Sequence, residues 1–212
     1  AVEETRALNV VRDALLKGSK EPRHFAEVVL PVPGHDDNER IALFAGVVDG
    51  GADPAVDAVC ATRPDVRLVR APAGRSGQMN AGAAAGTGHW ILFLHADSSL
   101  PQGWLTAIAS TGADGDAASH VGGWFRFALD DRAWQARVIE WLVAGRVALF
   151  SLPYGDQGFF VRRDVFTAMG GFRDMPLMED VEFARRLVRE GPVHRSPLAL
   201  VTSARRWRRT SS

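Results

Sequence analysis

Three stretches of this 212-residue chain put acids where chemistry can use them. The first runs from Trp90 to Asp97, apolar for five residues and then stopping on His95, Ala96 and Asp97. A run that short, rich in branched and aromatic side chains, predicts a strand buried on both faces of a mainly parallel sheet. Ligands of open α/β sheets bind beyond the carboxyl ends of the strands, which is where Asp97 stands. The second stretch, Val47-Val48-Asp49-Gly50-Gly51, supplies another strand-end carboxylate with two glycines behind it. The third is Glu179-Asp180, two adjacent acids opening a helix that runs to Glu190 and stops at Gly191. Acids at such places also cap helices or complement their dipoles, and spacing alone leaves both readings open.

The elements that must position these acids follow from periodicity and punctuation. Strands are expected over Ala26–Val32, at Val47-Val48, over Val66–Arg70 and over Trp90–His95. Between them lie a short helix over Asp36–Phe44, a helix opened by Asp53-Pro54, and an alanine-rich helix over Gln78–Gly86, with Ala71–Gly77 as a turn carrying Gly74 and Arg75. Strand and helix in alternation, with short connections, favour a parallel sheet with right-handed crossovers. Ahead of it, Leu8, Val11 and Leu15 mark a docked helix over Glu3–Lys17.

The second half is less regular. A helix is expected over Gln102–Ser110, a polar loop over Gly112–Ser119, and a strand over Val121–Leu129 with Phe125, Phe127 and Leu129 on one face. Trp134, Val138, Trp141 and Leu142 form a helical stripe that reads as core packing. A polar turn, Tyr154 to Gly158, then leads into a strand over Phe159–Val161 and a helix over Asp164–Met169.

Composition narrows the possible partners. Twenty-five basic residues balance 25 acidic ones, so no global field recruits nucleic acid or a membrane, and a small molecule is the expected ligand. One cysteine, Cys60, forms no internal disulfide, and no signal-peptide pattern is read at the amino terminus, so a cytoplasmic setting is expected. No apolar run approaches the ~20 residues that cross a bilayer, which leaves at most peripheral contact with the inner membrane face. Neither G-x-G-x-x-G nor a Walker A sequence opens a helix, which argues against NAD and against P-loop chemistry.

Taken together, Val47–Gly51, Gly74–Gly82, Leu92–Ser98, Gly155–Gly158 and Leu177–Glu182 resemble family 2 glycosyltransferases of the GT-A fold. The likeness is nearest to a small bacterial subgroup with His-Ala-Asp in place of the usual Asp-x-Asp. It covers about residues 45 to 209, with five motifs in register. The resemblance implies an α/β fold with a mainly parallel, mixed sheet and a Rossmann-like nucleotide-binding half, as a single domain with a donor half over 1–111 and an acceptor half over 112–212. It implies transfer of a hexosyl group, with inversion, from a nucleotide-diphospho-sugar to a small-molecule or lipid-linked acceptor hydroxyl, with manganese or magnesium neutralising the diphosphate.

Residue by residue, Asp97 matches the metal-binding acid, and His95 either ligates, hydrogen-bonds a phosphate, or does neither. Asp49, with Gly50 and Gly51, matches the part that reads the nucleotide base. Arg75, Gln78, Asn80, Ala96, Arg205 and Trp207 fall on the donor side, Arg75 and the Arg205–Trp207 segment toward the diphosphate. Asp180, beside Glu179, matches the catalytic base, and Gly155, Asp156 and Gln157 shape the acceptor side. The first crossover departs from the family pattern, being shortened or lacking residues. Two other readings stay open: a nucleotidyltransferase, although Pro31–Asp37 lacks the glycine-rich basic loop of that class, and a sugar-nucleotide-binding module without turnover, with His95 as the lesion.

Overall fold

The computed structural model describes residues 27–32, 45–49, 54–62, 66–95, 97–111, 120–150, 153 and 155–204, without the side chains of 27–32, 45–49, 55, 59, 66 and 150. The helices expected over Glu3–Lys17 and Asp36–Phe44, and the loop over Gly112–Ser119, lie outside those residues.

Among the described residues, one sheet contains eight strands: β1 (Glu27–Val32), β2 (Ala45–Asp49), β3 (Val66–Arg70), β4 (Trp90–His95), β5 (Ser98–Ser99), β6 (Gly122–Leu129), β7 (Phe159–Arg162) and β8 (Val193–Thr202), in the order β3-β2-β1-β4-β7-β6-β8-β5. The helices are α1 (Pro54–Ala61), α2 (Arg75–Ala85), α3 (Trp104–Ser110), α4 (Trp134–Phe150), α5 (Arg163–Ala168) and α6 (Glu179–Glu190). Pairing directions make β2, β3, β4, β6 and β8 run one way and β1, β5 and β7 the other, so the sheet is mixed with a majority direction. Within the first half, β1 departs from the parallel order expected of alternating strands and helices, pairing antiparallel with both β2 and β4. A parallel crossover takes a dozen or more residues, and the 33–44 connection sits at that lower limit.

Direction decides where the strand-end acids fall. Glu27 pairs with Val48 on one side and His95 on the other, so β2 and β4 end at the same sheet edge, two strand spacings or about 10 Å apart. The β4 side chains alternate as a doubly covered strand should. Trp90, Leu92 and Leu94 join a cluster with Trp104, Ile108, Phe125 and Phe160, while Ile91 and Phe93 join one with Trp124, Phe159, Phe172 and Phe183.

Three sequence expectations need correction. The alanine-rich helix begins at Arg75 rather than Gln78, because Gly74, at φ +147°, ends the turn by itself and Gly77 continues the helix. The stripe read as core faces outward: Trp134 is 72% and Trp141 74% exposed, with Val138 and Leu142 exposed beside them. Helix α4 is apolar on two faces, and the one it buries carries Ala136, Ile139, Val143 and Val147, so the period alone left the choice of face undetermined. Phe125 packs in the first cluster, whereas Phe127 and Leu129 pack with Ala136 and Ala204 against α4. A register shift between Phe125 and Arg126, opposite Ser196 and Ala199, breaks the expected single face.

Strand β8 carries a pH-sensitive group. Its His194 ring lies 5.4 Å from that of His120, and burial, then the neighbouring imidazole, lower its pKa from 6.5. Because the folded state disfavours the protonated form, this contribution to stability is whole above about pH 6.5 and is lost as pH falls from there through the lower folded-state pKa. Melting temperature followed between pH 7.5 and 5 should therefore fall less steeply for His194→Asn than for the unaltered chain. Among the described residues, no helix is long and apolar enough to cross a membrane.

Candidate functional site

Helix α6 explains why two acids are held inside the molecule. Asp180, Phe183, Ala184 and Leu187 follow the i, i+3, i+4, i+7 spacing of one face, and all four are buried. That face packs on the sheet through Phe183, whose ring stacks on Phe172 at 4.3 Å and meets Phe166 and Phe159. Arg186, one turn on, donates to both carboxylate oxygens of Glu182 and to the carbonyls of Met169 and Gly171, fixing the helix against the preceding loop. Met178 hands the chain into the helix with φ +67°, the left-handed region that non-glycine residues rarely adopt.

Five residues singled out in the sequence meet at the carboxyl edge of the sheet. Asp180 accepts the Gly155 N–H at Oδ2 over 2.7 Å and the Val181 N–H at Oδ1 over 2.7 Å. Two amide donors fix the carboxylate's orientation, and each oxygen keeps a second lone pair. Glu179, 1% exposed, faces Arg75 Nε at 3.0 Å, and Arg75 Nη2 donates to His95 Nε2 at 2.9 Å. A guanidinium has no acceptor, so Nε2 of His95 accepts and its proton belongs on Nδ1. Gly155, in a 3-10 turn over Gly155–Gln157, is the meeting point. A Cβ there would lie 2.7 Å from His95 Nε2, 2.9 Å from Arg75 Nη2 and 3.3 Å from Asp180 Oδ2. Gly155→Ala is expected to cost about 1–3 kcal/mol in thermal or denaturant unfolding, since the histidine and arginine must give way.

The end of β8, which the sequence reading left unassigned, ties the remaining turns together. Ser203 N–H donates to the Asp97 carbonyl at 3.0 Å, and the Thr202 hydroxyl donates to the Asp156 carbonyl at 3.2 Å while sharing a 2.9 Å hydrogen bond with Ser98. The available signal was the Leu198, Leu200, Thr202 alternation, masked by Pro197, which sits in the irregular stretch of β8 where a strand tolerates proline.

Other expected site residues are placed differently. Asn80 clamps the Phe172 backbone, donating to its carbonyl at 2.8 Å and accepting its N–H at 2.9 Å. Gln78 is buried on α2, and the Gln157 side chain donates to the Phe125 carbonyl at 3.2 Å. Asp49 ends β2 at the shared edge, its side chain outside the described residues, as are Gly50, Gly51, Ala96, Arg205 and Trp207.

Among the described residues, no three His, Cys, Asp or Glu side chains gather into a metal cage. Magnesium and manganese rarely need one, since one or two carboxylates plus substrate phosphates and water complete their shell. Asp97, in the turn after β4, suits that partial set; His95, its Nε2 turned to Arg75, does not.

A family model described as glycosyl transferase family 2 matches residues 46–175. Among solved structures, the mannosyltransferase PcManGT from Pyrobaculum calidifontis, in complex with GDP-Man and Mn2+, is similar at a TM-score of 0.51 and 19% identity, over 74% of this chain and 46% of that one. The two share the GT-A type α/β fold, and this chain spans about half the length of that relative. No curated protein matches the sequence.

Proposed function

We propose that this chain, which belongs to glycosyl transferase family 2, moves a sugar from a nucleotide-diphospho-sugar to an acceptor hydroxyl with inversion, within a single domain whose donor half is 1–111 and acceptor half 112–212. The observation that carries the reading is the convergence of Asp180, Glu179, Arg75 and His95 around Gly155 at the sheet edge where β2 and β4 end.

In this reading Asp180 is the base. The acceptor oxygen attacks the anomeric carbon from the face opposite the nucleotide, its proton passes to an Asp180 oxygen, and the bond from that carbon to the diphosphate oxygen breaks with its electron pair leaving on the diphosphate. The Gly155 and Val181 amides hold the carboxylate for that role. Arg75, fixed between Glu179 and His95, presents a planar cation to the diphosphate. Asp97 is the carboxylate that would hold manganese or magnesium, which when bound neutralises charge on the leaving diphosphate. Asp49, with Gly50 and Gly51, reads the base, and Asp156 faces the acceptor.

A thermal-shift panel of nucleotide sugars with and without manganese tests the donor side. A donor at a hundredfold over its dissociation constant should stabilise the fold by about 2.7 kcal/mol, a rise of roughly 5–10 °C for a chain this size. The rise should need the metal and should vanish in Asp97→Ala. No shift with any donor would overturn the assignment.

A further inference from the structure

The outer side of α4 is apolar along its whole length. Trp134, Val138, Trp141, Leu142 and Leu149 are exposed there, Leu149 at 78% and Leu142 at 57%, and at about 100° per residue they fall on one stripe with Gly145 near its midline. We propose that this stripe is the contact of a two-fold dimer, in which α4 of a second copy of the chain lies antiparallel across it. The proposal does not depend on the transferase reading.

Three observations select a second copy as the occupant. Spacing is the first. Steps of four, three, one, three and four residues lead from Trp134 through Val138, Trp141, Leu142 and Gly145 to Leu149, so the stripe reads the same from either end. An antiparallel pair related by a two-fold axis needs a matching residue at every level, and this spacing provides one. With the axis between 141 and 142, Val138 lies against the partner's Gly145, Trp134 stands level with the partner's Leu149, and Trp141 and Leu142 of both copies gather around the axis. Gly145 is the second observation. A Cβ built there meets nothing within 4 Å, so no packing among the described residues asks for glycine at a place where it weakens a helix. A helix crossing closely over it does ask for one. Area is the third. The five exposed side chains offer roughly 600 Å² per copy, or about 1,200 Å² for the pair, which reaches the lower bound of a specific interface. Two tryptophans and no charge on the stripe match the core of such an interface. Charge also sets a second copy above a lipid surface. Helices that lie in membranes carry cations along their polar side, whereas the one charged residue among the exposed positions of α4, Arg137, is paired with Glu140 at 2.8 Å.

Sedimentation velocity of the whole chain from about 1 to 100 µM tests this. The expected result is a species of twice the chain mass that grows with concentration. Trp141→Glu, which sets two carboxylates side by side at the axis, should weaken it roughly a hundredfold in a protein that still melts cooperatively. Gly145→Ala should act with opposite signs: the melting temperature of the dilute, monomeric chain rises, because alanine favours a helix, while the dimer weakens about tenfold. In a Cys60→Ser background, a short bismaleimide should join Gln135→Cys chains to Leu149→Cys chains and join neither kind to itself. A chain that stays monomeric at about 100 µM overturns the proposal, as does a dimer that Trp141→Glu or Gly145→Ala leaves unchanged. Cross-linking of Leu149→Cys chains to one another overturns the antiparallel arrangement. Binding to phosphatidylglycerol vesicles that Trp141→Glu abolishes, by a chain that is monomeric in solution, also overturns the dimer and makes the stripe a lipid contact.

Discussion

Replacing Asp180 by Asn is expected to lower the turnover rate of sugar transfer roughly 10²- to 10⁴-fold while nucleotide affinity stays the same. An amide nitrogen cannot take the acceptor's proton, so the variant keeps the shape of the site without its base. One of the two backbone N–H groups now received by the carboxylate would face an NH₂ group instead, so a modest fall in melting temperature is also expected. The two consequences separate cleanly: stability is read by melting, affinity by titration of the nucleotide, and the chemical step by product formation under saturating donor. Turnover equal in both proteins would remove Asp180 from the role of base. If both were inert while binding nucleotide sugars normally, the chain would be a binding module.

Phe183→Ala is the substitution expected to damage the fold most, by about 3–5 kcal/mol. The side chain is fully buried and sits among Phe172, Phe166, Phe159 and the Arg186 guanidinium, 5.6 Å from its centroid. Removing it empties the centre of an aromatic cluster that three segments share, and rigid neighbours collapse poorly into such a space. For a chain of this length the loss corresponds to a fall in melting temperature of roughly 10 °C. Because Asp180 lies on the same helix face one turn earlier, activity should fall at temperatures where the variant is still folded. A fall smaller than that of Phe183→Leu would show that the cluster repacks.

What the residues disclosed beforehand depended on whether the deciding interaction was local. Strand β4 and helix α6 are present with the boundaries read for them, because an uninterrupted apolar run admits one buried strand, and because paired acids at one end and a glycine at the other bracket a helix. Strand β8 escaped notice because His194, Arg195 and Pro197 break its pattern, and its place beside β6 is a pairing between residues about 70 apart. Helix α4 was recognisable as a helix but not as to its buried face, since both candidate faces are apolar. At the site, His95 and Asp180 stood out by their places at a strand end and a helix start, and Arg75 through motif resemblance. The linkage Glu179–Arg75–His95 was not, because it joins the starts of two helices to the end of a strand and leaves no trace in local spacing.

Met178 turns the chain into α6 through a left-handed angle, at a backbone cost of about 1–2 kcal/mol that a glycine would not incur. An α-helix advances about 100° per residue, so Asp180 points the same way as Phe183, Ala184 and Leu187, and the seating of those three on the sheet aims its carboxylate at Gly155. The aim of a single carboxylate is thus stored in the apolar side of the helix that carries it.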